Sequence, residues 1–168
     1  MKYSVIVTLI LIAITSCTTR FFVVRHAEKA DNGDDPGLSE AGRSRAGALK
    51  SILLKERIDT IFVSSKKRTQ ETADPLASLL VKRYHIYPAT RQGNEELIRQ
   101  LKSIRGNKNV LVVGHSNTVP VVVDSLMTDP QKITIGENDY NKLYIVSVKR
   151  FPITRKKLDI RFYGQATP

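Results

Sequence analysis

Two histidines carry the first hint of chemistry. Arg25-His26 directly follows the apolar run Phe21-Phe22-Val23-Val24, and Gly114-His115 ends the apolar run Val110 to Val113. Each run reads as a buried strand that delivers a histidine at its C-terminal end. In an open α/β sheet, ligands bind outside those ends. Two histidines and an arginine placed there suit chemistry on an anion, and a phosphoryl group fits best. Arginine's fork donates two parallel hydrogen bonds to phosphate and keeps its charge.

The rest of the chain must hold these residues in place. Phe21 to Arg25 is the first strand, followed by a loop of turn formers from Asp31 to Gly37. Ser39 suits an N-cap, and Ala46, Leu49, Ile52 and Leu53 then recur at helical spacing. Ile61-Phe62-Val63 predicts a short strand. Ala73, Leu76, Ala77 and Leu80 predict a second helix, with Pro75 either kinking it or lying near its start. His85-Ile86-Tyr87 suits a third short strand, and Leu97, Ile98, Leu101 and Ile104 a third helix. A fourth helix is expected over Val119 to Leu126. Leu143 to Val148 and Leu158 to Phe162 alternate like two antiparallel strands, with Arg155-Lys156-Lys157 in a solvated turn between them or against anionic lipid. This alternation predicts one α/β domain over 21–168: a three-layer sandwich, its central sheet mostly parallel, with helices on both faces and antiparallel C-terminal strands.

The 168 residues, 41% hydrophobic, suffice for one such core, and the net charge of +11 favours acidic partners or a merely solvated basic surface. The first 16 residues stand apart. Lys2 precedes the mostly apolar stretch Val5 to Ile14, too short to span a bilayer, which takes about 20 residues, but suited to a secretory signal. Ile14-Thr15-Ser16-Cys17 resembles the lipobox of bacterial lipoproteins, and Cys17 is the one cysteine of the chain. The expectation is a signal over 1–16, removed, then a lipidated Cys17 and a short tether over 17–20. The other reading is an ordinary signal with an incidental cysteine. The lipoprotein reading puts the domain outside the cytoplasm, close against a membrane. It also points His26 away from the bilayer, because His26 follows the opposite end of the first strand.

Arg25-His26-Ala27-Glu28 resembles the R-H-G signature of the histidine phosphatase superfamily, the phosphoglycerate mutase-like fold. Leu38-Ser39-Glu40-Ala41-Gly42 resembles its L-S-x-x-G helix start. Ser64 to Ala73 resembles its S-x-x-x-R-T-x-x-T-A segment, here with a second serine at Ser65, and Val112-Val113-Gly114-His115 its V-x-G-H segment. Ala27 replaces the glycine most common in that family. The resemblance implies that His26 is the nucleophile and forms a phosphohistidine. It also implies that Arg25 and Arg68 clamp the phosphoryl oxygens and that His115 donates to them. Nearby cations keep a nucleophilic imidazole neutral, and the other ring nitrogen of His26 is expected on a backbone carbonyl. Backbone N–H groups at Ser116 and Asn117 are placed to help hold the anion. The family's usual acid after the third strand has no clear counterpart, since Glu95 and Glu96 suit a solvated first helical turn. Glu28 is the candidate proton donor, or else it pairs with Lys29 or Arg68 and only orients the pocket. Asn32, six residues past His26, stands at an offset where mutase-like members place a phosphate contact. No cofactor is implied.

Other readings compete. Gly114-His115-Ser116-Asn117-Thr118 partly mimics a nucleophile elbow, but it ends in threonine and no histidine follows His115. A metal site lacks histidine or cysteine partners at ligand spacing. Nucleic-acid binding rests on charge alone. A phosphatase-like module that holds an anionic ligand without turnover is the remaining alternative. His85 suits packing or exposure, as do Tyr140 and Tyr144, while Lys66 and Lys67 either widen a positive funnel or face solvent. The short domain favours hydrolysis over mutase transfer, and the expected substrate is a small extracytoplasmic phosphomonoester. The sequence leaves the oligomeric state open.

Overall fold

Phe21 to Val24 fill the centre of β1 (Thr18–Arg25), and all four side chains are buried. Strand geometry sends alternate side chains to opposite faces. Phe21 and Val23 therefore enter one core and Phe22 and Val24 the other. Each phenylalanine contributes about 2–3 kcal/mol by leaving water. The computed structural model describes residues 17–150 and 152–166, so the segment read as a signal, 1–16, lies outside the described residues.

From β1 the chain runs through α1 (Glu40–Leu53), a 3-10 turn, β2 (Thr60–Ser64), α2 (Lys67–Leu79), β3 (His85–Tyr87) and α3 (Arg91–Ser103). It continues through β4 (Asn109–Gly114), α4 (Val119–Leu126), β5 (Lys142–Lys149) and β6 (Arg155–Phe162). The six strands form one sheet in the order β3-β2-β4-β1-β5-β6. β1, β2, β3 and β4 pair in parallel, and β5 and β6 are antiparallel. The β1 side chains Phe22 and Val24 meet Leu49 and Leu53 of α1 and Leu76 of α2. Phe21 and Val23 meet Leu97 and Leu101 of α3 and Val122 and Val123 of α4. The expected three-layer sandwich is the observed one.

Two local expectations change. β1 starts at Thr18, so 18–20 are sheet and not a free tether. Thr18 and Thr19 pair with Lys149 and Val148, and the Thr19 hydroxyl donates to the Gly106 carbonyl at 2.9 Å. Arg155 to Lys157 likewise lie in β6 and not in a turn, because β5 pairs with them out to Lys149. Pro75 lies inside α2. Its lost hydrogen bond and ring clash cost about 3 kcal/mol, and burial of Leu76 and Ala77 just beyond it offsets that cost.

The sheet sets the level of the site. Arg25 is in register with Gly114, so β1 and β4 end side by side, and the His26 N–H donates to the Gly114 carbonyl at 2.9 Å. Gly42 locks α1 against the loop after His26. A Cβ there would stand 2.2 Å from the Glu28 carbonyl oxygen, so only glycine lets the helix approach. Ser39 caps that helix, accepting from the Gly42 N–H at 3.0 Å, while its own N–H donates to the same Glu28 carbonyl at 2.9 Å.

Candidate active site

His26 and His115 meet at the paired ends of β1 and β4, their ring centroids 5.3 Å apart with the planes at 62°. They line one cleft of about 270 Å³ together with Lys66, Arg68, Ser116 and Asn117. His26 is buried, and its Nδ1 lies 2.7 Å from the Ala27 carbonyl oxygen. A carbonyl only accepts, so Nδ1 carries the proton and Nε2 keeps its lone pair. Burial pushes the His26 pKa down to about 3; the Ala27 carbonyl opposes this, and His115, Arg68 and Arg25 reinforce it. The imidazole is therefore neutral at neutral pH.

His115 is fixed by a relay from β2 and α2. Arg68 has donors only, and its Nη2 is 3.4 Å from His115 Nδ1, so Nδ1 accepts and Nε2 carries hydrogen. Nε2 then donates to Ser64 Oγ at 2.8 Å. Ser64 passes its hydrogen to Thr69 Oγ1 at 2.9 Å, and Thr69 donates to the Lys66 carbonyl at 2.7 Å. Burial pushes the His115 pKa down to about 4, aided by Arg68, Arg25 and Lys66 and opposed by Asp35.

Arg25 is buried beneath this pair and is partly spent on structure. Its Nη1 donates to the carbonyls of Gly136 and Glu137 at 2.7 and 2.6 Å, and its Nη2 to the Tyr140 hydroxyl at 3.2 Å. Its guanidinium carbon lies 4.1 Å from the centre of the Tyr140 ring. Its Nε is buried without a partner among the described residues, and a buried donor left unpaired costs about 1–3 kcal/mol. Thr72 ties α2 to the nucleophile loop, accepting from the Ala27 N–H at 2.9 Å and donating to the Arg68 carbonyl at 2.7 Å.

Two expected residues are elsewhere. Glu28 turns from the cleft onto Arg45, which is only 5% exposed, with contacts of 2.6 and 2.9 Å. A buried guanidinium is the strongest competitor for that carboxylate, and Arg45 also donates to the carbonyls of Tyr163 and Gln165. Neither Lys29 nor Arg68 is its partner. Asn32 is exposed, its side-chain oxygen accepting from Lys29 Nζ at 2.6 Å, because its turn-rich loop projects into solvent. Glu95 and Glu96 face solvent beside Arg91 and Arg99.

Sequence reasoning missed Asp35, Ser64 and Tyr140. Asp35 is 3.7 Å from Arg68 and accepts from the Lys67 N–H at 3.1 Å. It is the carboxylate that the long loop brings to the cleft arginine. Ser64 stood within the recognised S-S segment without an assigned role. Tyr140 carried no signal beyond an aromatic near a strand. Among the described residues, no three histidine, cysteine or acidic side chains come together as a metal-ligand group.

Comparison with known proteins agrees with this fold. No curated protein matches the chain. Among solved structures, a mycobacterial hydrolase aligns over 89% of this chain and 93% of its own, with TM-score 0.69 and 15% identity. A mycobacterial glucosyl-3-phosphoglycerate phosphatase in complex with inorganic phosphate aligns over 83% and 95%, with TM-score 0.67 and 17% identity. The protein histidine phosphatase SixA, complexed with tungstate, aligns over 85% and 96%, with TM-score 0.62 and 17% identity. At these identities the likeness concerns the fold. Residues 21–94, which carry His26, Ser64 and Arg68, match the model of the histidine phosphatase superfamily, branch 1, and the chain has the fold of these solved phosphatases.

Proposed function

We propose that this chain is a member of the histidine phosphatase superfamily that hydrolyses phosphomonoesters through a phosphohistidine on His26. One observation carries the reading: a buried, neutral imidazole whose Nδ1 is held by a carbonyl 2.7 Å away, beside a second histidine and Arg68. Phosphoryl transfer needs positioning and charge stabilisation more than covalent help from the protein. Arg68 and His115 line the cleft that would hold the oxyanion, with Arg25 buried at the end of β1 behind them.

In the first step the Nε2 lone pair of His26 forms a bond to phosphorus as the ester P–O bond breaks, and the leaving oxygen takes a proton. In the second, water attacks phosphorus, the P–N bond breaks, and phosphate leaves with His26 regenerated. Asp35 replaces Glu28 as the group that handles these protons, because its carboxylate is at Arg68 and that of Glu28 is not. No step calls on a metal ion.

The apolar segment before Cys17 and its lipobox-like sequence support placing the enzyme outside the cytoplasm, anchored to a bacterial membrane by a lipid on Cys17. The substrate is then a small extracytoplasmic phosphomonoester. Purified full-length chain should hydrolyse p-nitrophenyl phosphate equally with and without EDTA. It should also trap an acid-labile phosphoenzyme that His26→Ala lacks. No turnover across a panel of phosphoesters and pH, with oxyanion binding intact, would instead mark a binding module.

A further inference from the structure

The end of the sheet opposite His26 carries a second basic cleft. It is about 280 Å³ and is lined by Lys102 at the end of α3, Ser125 near the end of α4, Arg150 after β5, Thr154 in the β5–β6 connection and Lys156 near the start of β6. Among the described residues no carboxylate lines it. Three cations share it, and their internal partners are few: Arg150 Nη1 donates to Thr19 Oγ1 at 2.9 Å, and Lys156 Nζ reaches the Met127 carbonyl at 3.4 Å. Burial and the neighbouring Arg105 both act against the charge on Arg150. Asp124, which precedes Ser125 on α4, accepts from the Gln131 N–H at 2.8 Å. Such a cleft favours an anion with several acceptor oxygens.

Its position selects the source of that anion. The Arg150 N–H donates to the Cys17 carbonyl at 3.3 Å, so the cleft borders the residue where the apolar N-terminal segment joins the domain. Ile153, 66% exposed, projects from the same β5–β6 connection. The eight residues of β1 separate this end from His26 by about 26 Å at roughly 3.3 Å per residue. We infer that this cleft docks the phosphate of an anionic phospholipid headgroup, seating the Cys17 end of the sheet flat on the bilayer and holding the catalytic cleft toward soluble substrate. The inference rests on the membrane attachment at residue 17 proposed above. A single lipid chain holds a protein only marginally, and a basic patch supplies the second attachment.

Hydrogen exchange on the full chain, reconstituted in phosphatidylcholine vesicles with or without phosphatidylglycerol, tests this. The expected result is protection of amides 102–108 and 149–156 only with phosphatidylglycerol, reversed by high salt, with residues 115–118 unaffected. Lys102→Gln with Lys156→Gln, two lysines at about fivefold each, should reduce that protection by roughly 25-fold while phosphatase activity confirms folding. Equal protection on both vesicle types, or protection unchanged in the double variant, would overturn the docking site while leaving the anchor intact. Protection by soluble glycerol phosphate but not by phosphatidylglycerol would also overturn it, in favour of a soluble ligand. A chain that binds only phosphatidylglycerol vesicles would retain the cleft and refute the anchor.

Discussion

Ser64 Oγ and His115 Nε2 stand 2.8 Å apart, and this hydrogen bond decides which nitrogen of the second histidine faces the cleft. With Nε2 committed to Ser64, Nδ1 is the nitrogen left for the phosphoryl group, and it can donate only after taking up a proton. The charges that hold His115 down to about 4 are cations, Arg68, Arg25 and Lys66, added to burial. An oxyanion in their midst opposes them and raises the affinity of His115 for a proton.

Oxyanion binding should therefore take up a proton. Sulfate, which does not titrate between pH 5 and 8, should bind more tightly as pH falls, by up to roughly tenfold per unit. Calorimetry in buffers of different ionisation enthalpy reads the uptake directly. His115→Gln should abolish it and lower kcat by roughly 10²–10³. Ser64→Ala should keep sulfate binding but shift its pH profile. A pH-independent affinity in the parent chain would refute this assignment of the His115 hydrogens.

Asp35 is expected to matter in proportion to how badly the leaving group needs a proton. General acid help is worth about 10²–10⁴. Asp35→Asn should thus slow alkyl phosphates by at least 10² while sparing p-nitrophenyl phosphate, whose phenolate leaves unaided. An equal loss on both substrates would make Asp35 only a support for Arg68, through the 3.7 Å contact.

Glu28 should act on stability and not on chemistry. Glu28→Gln removes the charge that answers buried Arg45. Charged hydrogen bonds of this kind are worth about 1.5–3 kcal/mol, so urea unfolding should show a loss of that order with kcat nearly unchanged. A large fall in kcat at full stability would return Glu28 to the reaction.

How much of this was legible in the sequence differs by residue. The nucleophile pair was legible because Phe21 to Val24 and Val110 to Val113 are uninterrupted apolar runs, and a fully buried parallel strand leaves no polar alternative. The start of α1 was legible from its cap, Ser39. Glu28 was not, because its partner Arg45 lies on α1 and nothing local marks that arginine as buried. The start of β1 at Thr18 was hidden for a similar reason: its polar residues are held by pairing with β5, far along the chain. Tyr140 reaches the site only because the connection from α4 to β5 folds back over Arg25, a long-range contact that composition does not encode.

The two histidines also predict how the protein responds to acid. Both have folded-state pKa values below the ordinary 6.5, at about 3 and about 4. The unfolded chain therefore binds protons first, and stability falls as pH drops below 6.5, levelling only near 3 to 4. At pH 5 the solution is about 1.5 pH units below the unfolded value of each histidine, which costs about 2 kcal/mol apiece, or about 4 kcal/mol together. Asp139, held low by Lys142, loses its contribution only at lower pH. Urea unfolding at pH 8, 6.5 and 5 should show this decline, and His26→Asn should remove about half of it. Sulfate at saturating concentration should restore part of it, because it binds the folded cleft and favours the protonated His115 there. A stability that stays flat from pH 8 to 5 would mean that neither imidazole is held neutral by the fold, and the case for His26 as a ready nucleophile would fall with it.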